Sequence, residues 1–342
     1  LDLGILLLQG VLIRGGGDIA VTTGNDILSG HYLVSDGRLN VIAGGSMMNA
    51  AQNDVATAVT FGKADMSLKA RKHIDVTRVM DQGMVTLSEL QSASDAAKSL
   101  YFSDASADSL MVQSITGNIR FNPDSGDDFA SKLHAVLPAD VQALALDGNI
   151  QIDKAIGLEP HSENALKLYA ARNIEWASEG VLRLTAATQQ LLPYQGDSLA
   201  YQMPDSPEKI TTLLGHLGIE ENRVALEAGV ESVHTEPGGD PLRLVALTGD
   251  LVGDASSILG FHSSKETEVV AGRDIRNLGM TLTNNFASDV SRVSAGRDIV
   301  VEASRSATGE ILASNTAMAI TVYGPGSLLV TAGRDINLGT SG

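Results

Sequence analysis

Three copies of one five-residue phrase carry the same pair of charged side chains. Ala-Gly-Arg-Asp-Ile begins at Ala271, Ala295 and Ala332, and the first two copies lie 24 residues apart. A single Arg beside an Asp could contact a ligand, but a pair that recurs at a fixed interval is typical of a stacked repeat. We therefore interpret the phrases as structural turns. Their turn residues are Gly272, Arg273, Asp274, Gly296, Arg297, Asp298, Gly333, Arg334 and Asp335.

Shorter versions of the phrase extend this repeat toward the N-terminus. The interval is 24 residues from Asn149 to Asn173 and again from Asp250 to Asp274, and it is 20 from Asp18 to Arg38. Such a period is too short for a helix pair or a propeller blade, but it accommodates one coil of three short strands. We align all versions as one corner: Gly17-Asp18-Ile19, Gly37-Arg38-Leu39, Gly117-Asn118-Ile119, Gly148-Asn149-Ile150, Arg172-Asn173-Ile174 and Gly249-Asp250-Leu251.

Carboxylates outside the repeat are the residues that could perform acid and base chemistry. Pairs of such groups hydrolyse glycosidic bonds, and parallel β-helices often process polysaccharides, so an enzyme is the alternative hypothesis. Acidic loop residues are more often solvated turn formers, and we expect no catalytic residue. The candidate carboxylates are Asp124, Asp127 and Asp128 in one stretch and Asp197 and Asp205 in another.

Other site patterns are incomplete, and we expect neither a cofactor nor a bound metal. The seven histidines include no pair at the three- or four-residue spacing of a helical metal site. The glycine-rich stretch from Gly15 lacks the tandem copies of a calcium repeat and the following helix of a dinucleotide fingerprint. The histidines are His31, His73, His134, His161, His216, His234 and His262.

An aromatic neighbourhood in the least repetitive text is a possible surface for a sugar or a protein. It comprises Trp176, Tyr194 and Tyr201. A helix is expected nearby over 206–218, because a Ser N-cap and a Pro at the first helical position precede an apolar face that ends at Gly218. The alternative is that this helix only covers the scaffold.

The strand signals predict an all-β fold, a right-handed parallel β-helix with coils of about 20–24 residues and short helical excursions. Runs of Val, Ile, Leu and Thr stop at Gly, Asn, Asp or Ser. Further helices are expected over 127–137, where Phe129, Leu133 and Val136 share one side, and over 88–100. We divide the chain into a β-helix at 1–190 with insertions at about 86–110 and 122–140, an excursion at 191–223 and regular repeats at 224–342.

The bulk composition narrows the possible partners. The net charge is −17, with 41 acidic and 24 basic side chains, which disfavours nucleic acid and anionic lipid. Cysteine is absent, which excludes disulfides and thiolate chemistry. The apolar run after Leu1 is too short to span a membrane and lacks a basic start, so we interpret Leu1 as an internal position of a longer precursor.

The Ala-Gly-Arg-Asp-Ile phrases at coil-length spacing resemble the repeat region of filamentous haemagglutinin-type exoproteins of Gram-negative bacteria. The resemblance is strongest from Gly249 to Gly342, diffuse from Leu1 to Asn173 and absent from Tyr194 to Arg223. It implies two-partner secretion through an outer-membrane partner, location outside the cell or on its surface, and a role in adhesion or toxin display. On this basis we expect a non-catalytic rod that meets a receptor or glycan of a host or neighbouring cell, without binding nucleic acid or inserting into membrane.

Overall fold

A computed structural model describes residues 10–13, 17–49, 57–81, 108–121, 135–154, 156–158, 165–184, 240–254, 259–302 and 319–339. Within these residues the chain is all-β and contains no helix. Every strand pairing in them is parallel, and each strand pairs with the strand of the preceding or following coil. The architecture is a parallel β-helix, as the sequence predicts.

Three faces make up each coil, and we number them in chain order. Two long strands, β4 (Gly30–Ala43) and β6 (Thr57–Ala70), each extend over faces 1 and 2, and β8 (Arg78–Asp81) of face 1 lies next to β11 (Ala135–Leu137). Face 1 comprises β1 (Gly10–Ile13), the first half of β4 (Gly30–Ala43), the first half of β6 (Thr57–Ala70), β8 (Arg78–Asp81), β11 (Ala135–Leu137), β14 (Ile156–Leu158), β17 (Leu182–Leu184), β20 (Leu259–His262), β23 (Gly279–Thr283) and β26 (Ile320–Tyr323).

Faces 2 and 3 complete the coils. Face 2 comprises β2 (Ile19–Thr23), the second halves of β4 and β6, β9 (Ser109–Ser114), β12 (Asp140–Ala145), β15 (Ala165–Ala170), β18 (Leu242–Ala246), β21 (Thr267–Ala271), β24 (Val290–Ala295) and β27 (Ser327–Ala332). Face 3 comprises β3 (Ile27–Leu28), β5 (Met47–Met48), β7 (Ile74–Val76), β10 (Ile119–Phe121), β13 (Ile150–Ile152), β16 (Ile174–Trp176), β19 (Leu251–Val252), β22 (Ile275–Arg276), β25 (Ile299–Val300) and β28 (Ile336–Asn337).

The described strands form ten coils, numbered 1 to 10 from coil 1 (β1 to β3) to coil 10 (β26 to β28). The stack is not interrupted between residues 184 and 240, because β15, β16 and β17 pair directly with β18, β19 and β20. The strands of the predicted N-terminal and C-terminal regions therefore belong to one continuous solenoid.

The apolar and polar residues alternate along each strand, which produces a narrow aliphatic interior. In β12, Val141, Ala143 and Ala145 point inward and are at most 1% exposed. Small residues end the face 2 strands, and a large aliphatic residue opens each face 3 strand: Ala271 and Ala295 are nearly buried, while Ile275 and Ile299 are fully so. This explains the first and last letters of the Ala-Gly-Arg-Asp-Ile phrase.

We call the turn from face 2 to face 3 the phrase corner and the turn from face 1 to face 2 the groove corner. The prediction that Asp18 and Arg38 occupy the phrase corner is wrong, because they precede face 2 strand segments that pair through Ile19 and Leu39. The phrase corners of coils 1 to 3 are instead Thr23-Gly24-Asn25-Asp26-Ile27, Ala43-Gly44-Gly45-Ser46-Met47 and Ala70-Arg71-Lys72-His73-Ile74.

The helix predicted over 127–137 is wrong at its described end. Ala135–Leu137 is strand β11, which also falls within the insertion predicted at 122–140. Pairing with β14 and burial of Leu137 to 2% exposure outweigh the helical spacing of the apolar residues. The helices predicted over 206–218 and 88–100, and the excursion at 191–223, lie outside the described residues.

Candidate functional site at two corners of the solenoid

A ladder of side-chain carbonyl oxygens links successive coils at the phrase corner. In each step the Oδ1 atom of one coil accepts the backbone N–H of the equivalent residue in the next coil. The donor–acceptor distances are 3.0 Å from Asn149 to Asn118, 3.1 Å from Asn173 to Asn149, 2.9 Å from Asp250 to Asn173, 3.0 Å from Asp274 to Asp250, and 3.2 Å both from Asp298 to Asp274 and from Asp335 to Asp298.

Sequence reasoning missed the first members of this ladder. Asp26 Oδ1 accepts the N–H of Ser46 at 2.6 Å, and His73 Nδ1 accepts the N–H of Asn118 at 3.1 Å. His73 therefore replaces an Asp or Asn as the acceptor. The signal that could have found these corners is the shared five-residue length between a small residue and an aliphatic one.

The Arg residues of the phrases reach back to the Asp of the preceding coil. Arg297 contacts Asp274 through both Nε, at 3.0 Å, and Nη2. Arg334 contacts Asp298 in the same two-atom manner, with Nε at 3.1 Å. Each of these carboxylates therefore receives a backbone amide and a guanidinium from the C-terminal side, which fits a scaffold role.

Asp274 is one of these carboxyl groups and is only 8% exposed. Burial acts to raise its pKa, but hydrogen bonds from Arg297 and from the Asp298 amide, with the nearby Arg297 and Arg273 charges, hold the pKa below its ordinary value. Asp274 therefore remains ionised and bonded, which makes it a poor proton donor at neutral pH.

The amide side chains of the middle coils converge on one carboxylate. Glu175 accepts from Asn149 Nδ2 at 3.2 Å, Gln151 Nε2 at 3.2 Å and Asn173 Nδ2 at 2.8 Å. This arrangement leaves the ladder oxygens of Asn149 and Asn173 directed at the next coil. Glu175 thus has a structural function.

An open groove of about 650 Å³ lies at the groove corner of coils 1 to 4. Gly37 and Ala64 are small lining residues that lie in register on the neighbouring strands β4 and β6. Opposite charges occupy neighbouring coils, since Arg38 lies in register with Asp65, and Asp36 with Lys63, in the pairing of β4 with β6. Its lining residues are Asp18, Asp36, Gly37, Arg38, Lys63, Ala64, Asp65 and Asp108.

Most of the groove carboxylates already have structural hydrogen bonds. Asp18 Oδ1 accepts the Arg38 amide at 2.9 Å, Asp65 Oδ1 accepts the Ser109 hydroxyl at 2.7 Å, and Asp108 Oδ1 accepts the Ala64 amide at 2.9 Å. Asp108 is also only 2% exposed. The groove contains both acidic and basic side chains, but three of its carboxylates form hydrogen bonds that link neighbouring coils.

Sequence reasoning did not bring the groove residues together. The paired residues are 20 to 44 positions apart and differ in type, so they do not form a repeated phrase. Their common signal is position: each lies within a few residues before the inward-facing residue that opens β2, the second half of β4 or β6, or β9.

Farther along the groove corner, two charged groups have shifted pKa values. Burial raises the pKa of Asp140, opposed by the Lys167 charge and a Gln142 hydrogen bond. Burial lowers the pKa of Lys265, opposed by the Asp240, Asp289 and Glu266 charges. Lys167 also pairs with Asp240 at 3.4 Å. These acidic and basic side chains come from different coils, and their opposite charges offset one another.

The expected aromatic surface is not formed by Trp176. Its side chain lies in the core with 4% exposure, packed near Gly260, because the face 3 strand directs it inward. The prediction that Trp176 offers a ligand surface is therefore wrong. Tyr194 and Tyr201 lie outside the described residues, as do Asp124, Asp127, Asp128, Asp197 and Asp205.

The described histidines are dispersed. His31 Nε2 lies 2.8 Å from Thr60 Oγ1, His73 belongs to the ladder, and His262 lies on face 1. His134, His161, His216 and His234 fall outside the described residues. In the part of the chain that is described, no three His, Cys, Asp or Glu side chains are grouped to hold a metal ion.

The chain matches no family model, no curated protein and no solved structure. Among the described residues, no helix has the length and apolar character needed to cross a membrane.

Proposed function

We propose that this chain is a non-catalytic structural and adhesive rod segment of a large secreted bacterial surface protein of the filamentous haemagglutinin type. It presents binding or toxin modules and contacts a receptor or glycan of another cell. The observation that carries the proposal is the ladder, because in most of the described coils one side chain at the phrase corner accepts a hydrogen bond from the backbone of the next coil. A solenoid of this kind is stiff and extends one coil at a time.

The charge distribution supports the same proposal. Surface Arg residues form ion pairs with the Asp residues of the preceding coil, so the phrase corner carries closely spaced opposite charges. The net charge of −17 keeps such a rod soluble and favours contact with neutral or basic partners.

The test is binding of the labelled chain to host and bacterial cells. We expect saturable binding that the unlabelled chain displaces, together with no product release from acidic and neutral glycans. Cell binding that neither saturates nor is displaced would contradict the adhesive proposal.

A polysaccharide-processing enzyme is the second candidate, because the groove brings Asp18, Asp36 and Asp65 near Arg38 and Lys63. The structural bonds of Asp18 and Asp65 favour the rod. Turnover of a glycan by the wild-type chain that disappears in Asp18→Asn/Asp65→Asn would favour the enzyme. This double variant keeps both Oδ1 acceptors, so its coils stay linked.

A further inference from the structure

Four inner coils, 4 to 7, carry apolar residues at the first position of the phrase corner, where the side chain points away from the core. Ile115, Leu146 and Leu247 are 51%, 52% and 67% exposed, and Ala171 lies between Leu146 and Leu247. The amide of each donates to the last face 2 residue of the preceding coil, which places the four residues in one column. We call them the apolar column.

The length of the corner explains why a large side chain fits there. In coil 8 the first corner residue is Gly272, whose Cβ would lie 2.2 Å from the Leu247 carbonyl oxygen. In coils 5 and 7 the corner is one residue longer, and its glycine comes two positions later, at Gly148 and Gly249. Arg71 occupies the first corner position in coil 3. The corner therefore accepts a polar side chain, and folding alone does not explain the exposed leucines.

A second row of apolar side chains lies beside the apolar column on face 2. Leu144, Tyr169 and Val245 are in register with one another, point outward and are half-buried. Together with the apolar column they form what we call the apolar patch. It crosses four coils, which corresponds to about 14 Å along the axis. A contiguous apolar surface of a few hundred Å² on a soluble chain marks an interaction site.

The charged side chains at the border of the apolar patch form ion pairs within the chain. Arg172 lies 3.0 Å from Asp147, and Arg243 lies 3.1 Å from Glu268. The first pair is more than half exposed on both sides and follows the apolar column directly in coils 5 and 6. A second surface can therefore cover the patch without desolvating an unpaired charge of these two pairs.

The apolar patch is nearly symmetric about the midpoint between coils 5 and 6. A twofold axis at this point, parallel to the strands, places Ile115 opposite Leu247 of a second copy and Leu146 opposite Ala171. Leu144 is then opposite Tyr169. Apolar side chains thus meet apolar side chains, as a contact between two identical surfaces requires.

The same axis also matches the charges. Asp147 of each copy lies opposite Arg172 of the other, so each carboxylate gains a second guanidinium besides that of its own chain. A twofold axis along the solenoid above Tyr169 would instead place Leu247 against Arg243, because it reverses the order of residues along the strand. Charge and hydrophobicity therefore favour the antiparallel arrangement.

We propose that the apolar patch binds the same patch of a second copy of this chain in antiparallel orientation, forming a dimer. The contact closes on itself, because the same surface is used on both copies. It lies on inner coils and does not depend on adhesion.

The size of the contact sets its strength. A few hundred Å² from each copy falls below the total of about 1,200 Å² that stable interfaces bury. The net charge of −17 on each copy opposes association at long range. We therefore expect a dissociation constant of about 10–100 µM that decreases as salt screens the repulsion.

The first experiment is sedimentation equilibrium of the 342-residue chain over a concentration series. Wild type is expected to show a monomer–dimer equilibrium without larger species. Leu247→Glu should weaken it about tenfold or more, because it buries a carboxylate in the contact. Leu28→Glu is the matched control, since it makes the same change at a leucine of face 3 that is 57% exposed. Circular dichroism and the melting temperature verify that both variants fold.

A charge exchange tests the contact between Asp147 and Arg172. Asp147→Arg should weaken the dimer about two- to fivefold, because two guanidinium groups then face each other across the axis. The double variant Asp147→Arg/Arg172→Asp should restore wild-type association, since it keeps both the internal pair and the pair between copies. A double variant that dimerises no better than Asp147→Arg would overturn the assigned register.

Cross-linking tests the orientation, because the chain has no cysteine of its own. A mixture of the single variants Ile115→Cys and Leu247→Cys should form mixed dimers with a short bismaleimide, whereas either variant alone should cross-link poorly. Wild type that stays monomeric at every concentration and salt tested, or equal dissociation constants for Leu247→Glu and Leu28→Glu, would overturn the proposal. Cross-linking that is equally efficient in each single variant would also overturn it.

Discussion

At the scale of single residues, the same carboxylate binds two donors from the following coil. Asp274 accepts the Asp298 amide and pairs with Arg297, and it is nearly buried. Asn residues occupy the equivalent positions in earlier coils, where Oδ1 keeps the amide interaction and Nδ2 of Asn149 and Asn173 donates to Glu175 in place of an ion pair. The hydrogen bond is therefore general to the ladder, and the ion pair is specific to the C-terminal phrases.

Substitution of Asp274 separates these two interactions. Asp274→Ala leaves the partly buried Asp298 amide without its acceptor and should lower the free energy of unfolding by about 1–3 kcal/mol. Asp274→Asn keeps Oδ1 and should cost less than about 1 kcal/mol, the typical contribution of a partly exposed ion pair. Urea unfolding measures both. Asp335→Ala, at the end of the ladder, is the control and should have almost no effect on the single chain.

The pH dependence follows from the lowered pKa of Asp274. A depressed folded-state pKa contributes stability above the unfolded value of about 3.9, and this contribution is lost as pH falls through the lower, folded value. The difference in unfolding free energy between wild type and Asp274→Asn should therefore shrink as the pH is lowered from about 5 to about 2.5. Equal differences at both pH values would contradict the assignment.

At the scale of elements, the strands of the inner coils are stable because each lies between the strands of two neighbouring coils. Ile299 is covered by coil 10, whereas Ile336 occupies the same column with one side open. The contribution of one repeated phrase to the free energy of unfolding therefore depends on the position of its coil in the stack.

Ile299→Ala should cost about 2–5 kcal/mol, because it leaves a cavity in a packed interior. Ile336→Ala removes the same atoms from a half-exposed position, and we expect it to cost clearly less. Both variants can be compared by chemical denaturation at a low concentration of protein. Similar losses at the two positions would show that coil 10 is buried in solution.

The elements also show how far the sequence predicts the structure. The Ala-Gly-Arg-Asp-Ile corners were predictable because close coil contact requires Gly and because Asp serves the next coil. The corners at Ser46 and His73 were missed, since different side chains fill the same position there. β11 was missed because long-range pairing decides a three-residue strand. The groove was missed because its charges come from different coils.

At the scale of the whole molecule, the excess of acidic residues governs long-range interactions. The net charge is −17, and the Arg residues of the phrases are already paired with Asp. Within the described coils, these paired Arg residues therefore do not form the continuous basic stripe that would attract a phosphate backbone.

We expect no binding of the chain to double-stranded DNA even at about 50 mM salt, where phosphate contacts are strongest. Fluorescence anisotropy with a labelled duplex measures this, with a basic DNA-binding protein as the positive control. A salt-sensitive rise in anisotropy with added chain would contradict the prediction.

The groove corner is also where the two longest connections of the solenoid depart and return. One joins β8 to β9 in coil 4 and the other joins β17 to β18 in coil 7. Three coil steps correspond to about 14 Å along the axis. Strands on both sides of each connection pair with their usual neighbours, so its length is independent of the strand register. The groove corner thus contains two positions on the same side of the solenoid where the sequence can be exchanged or lengthened. The distance between these two positions is a whole number of coils.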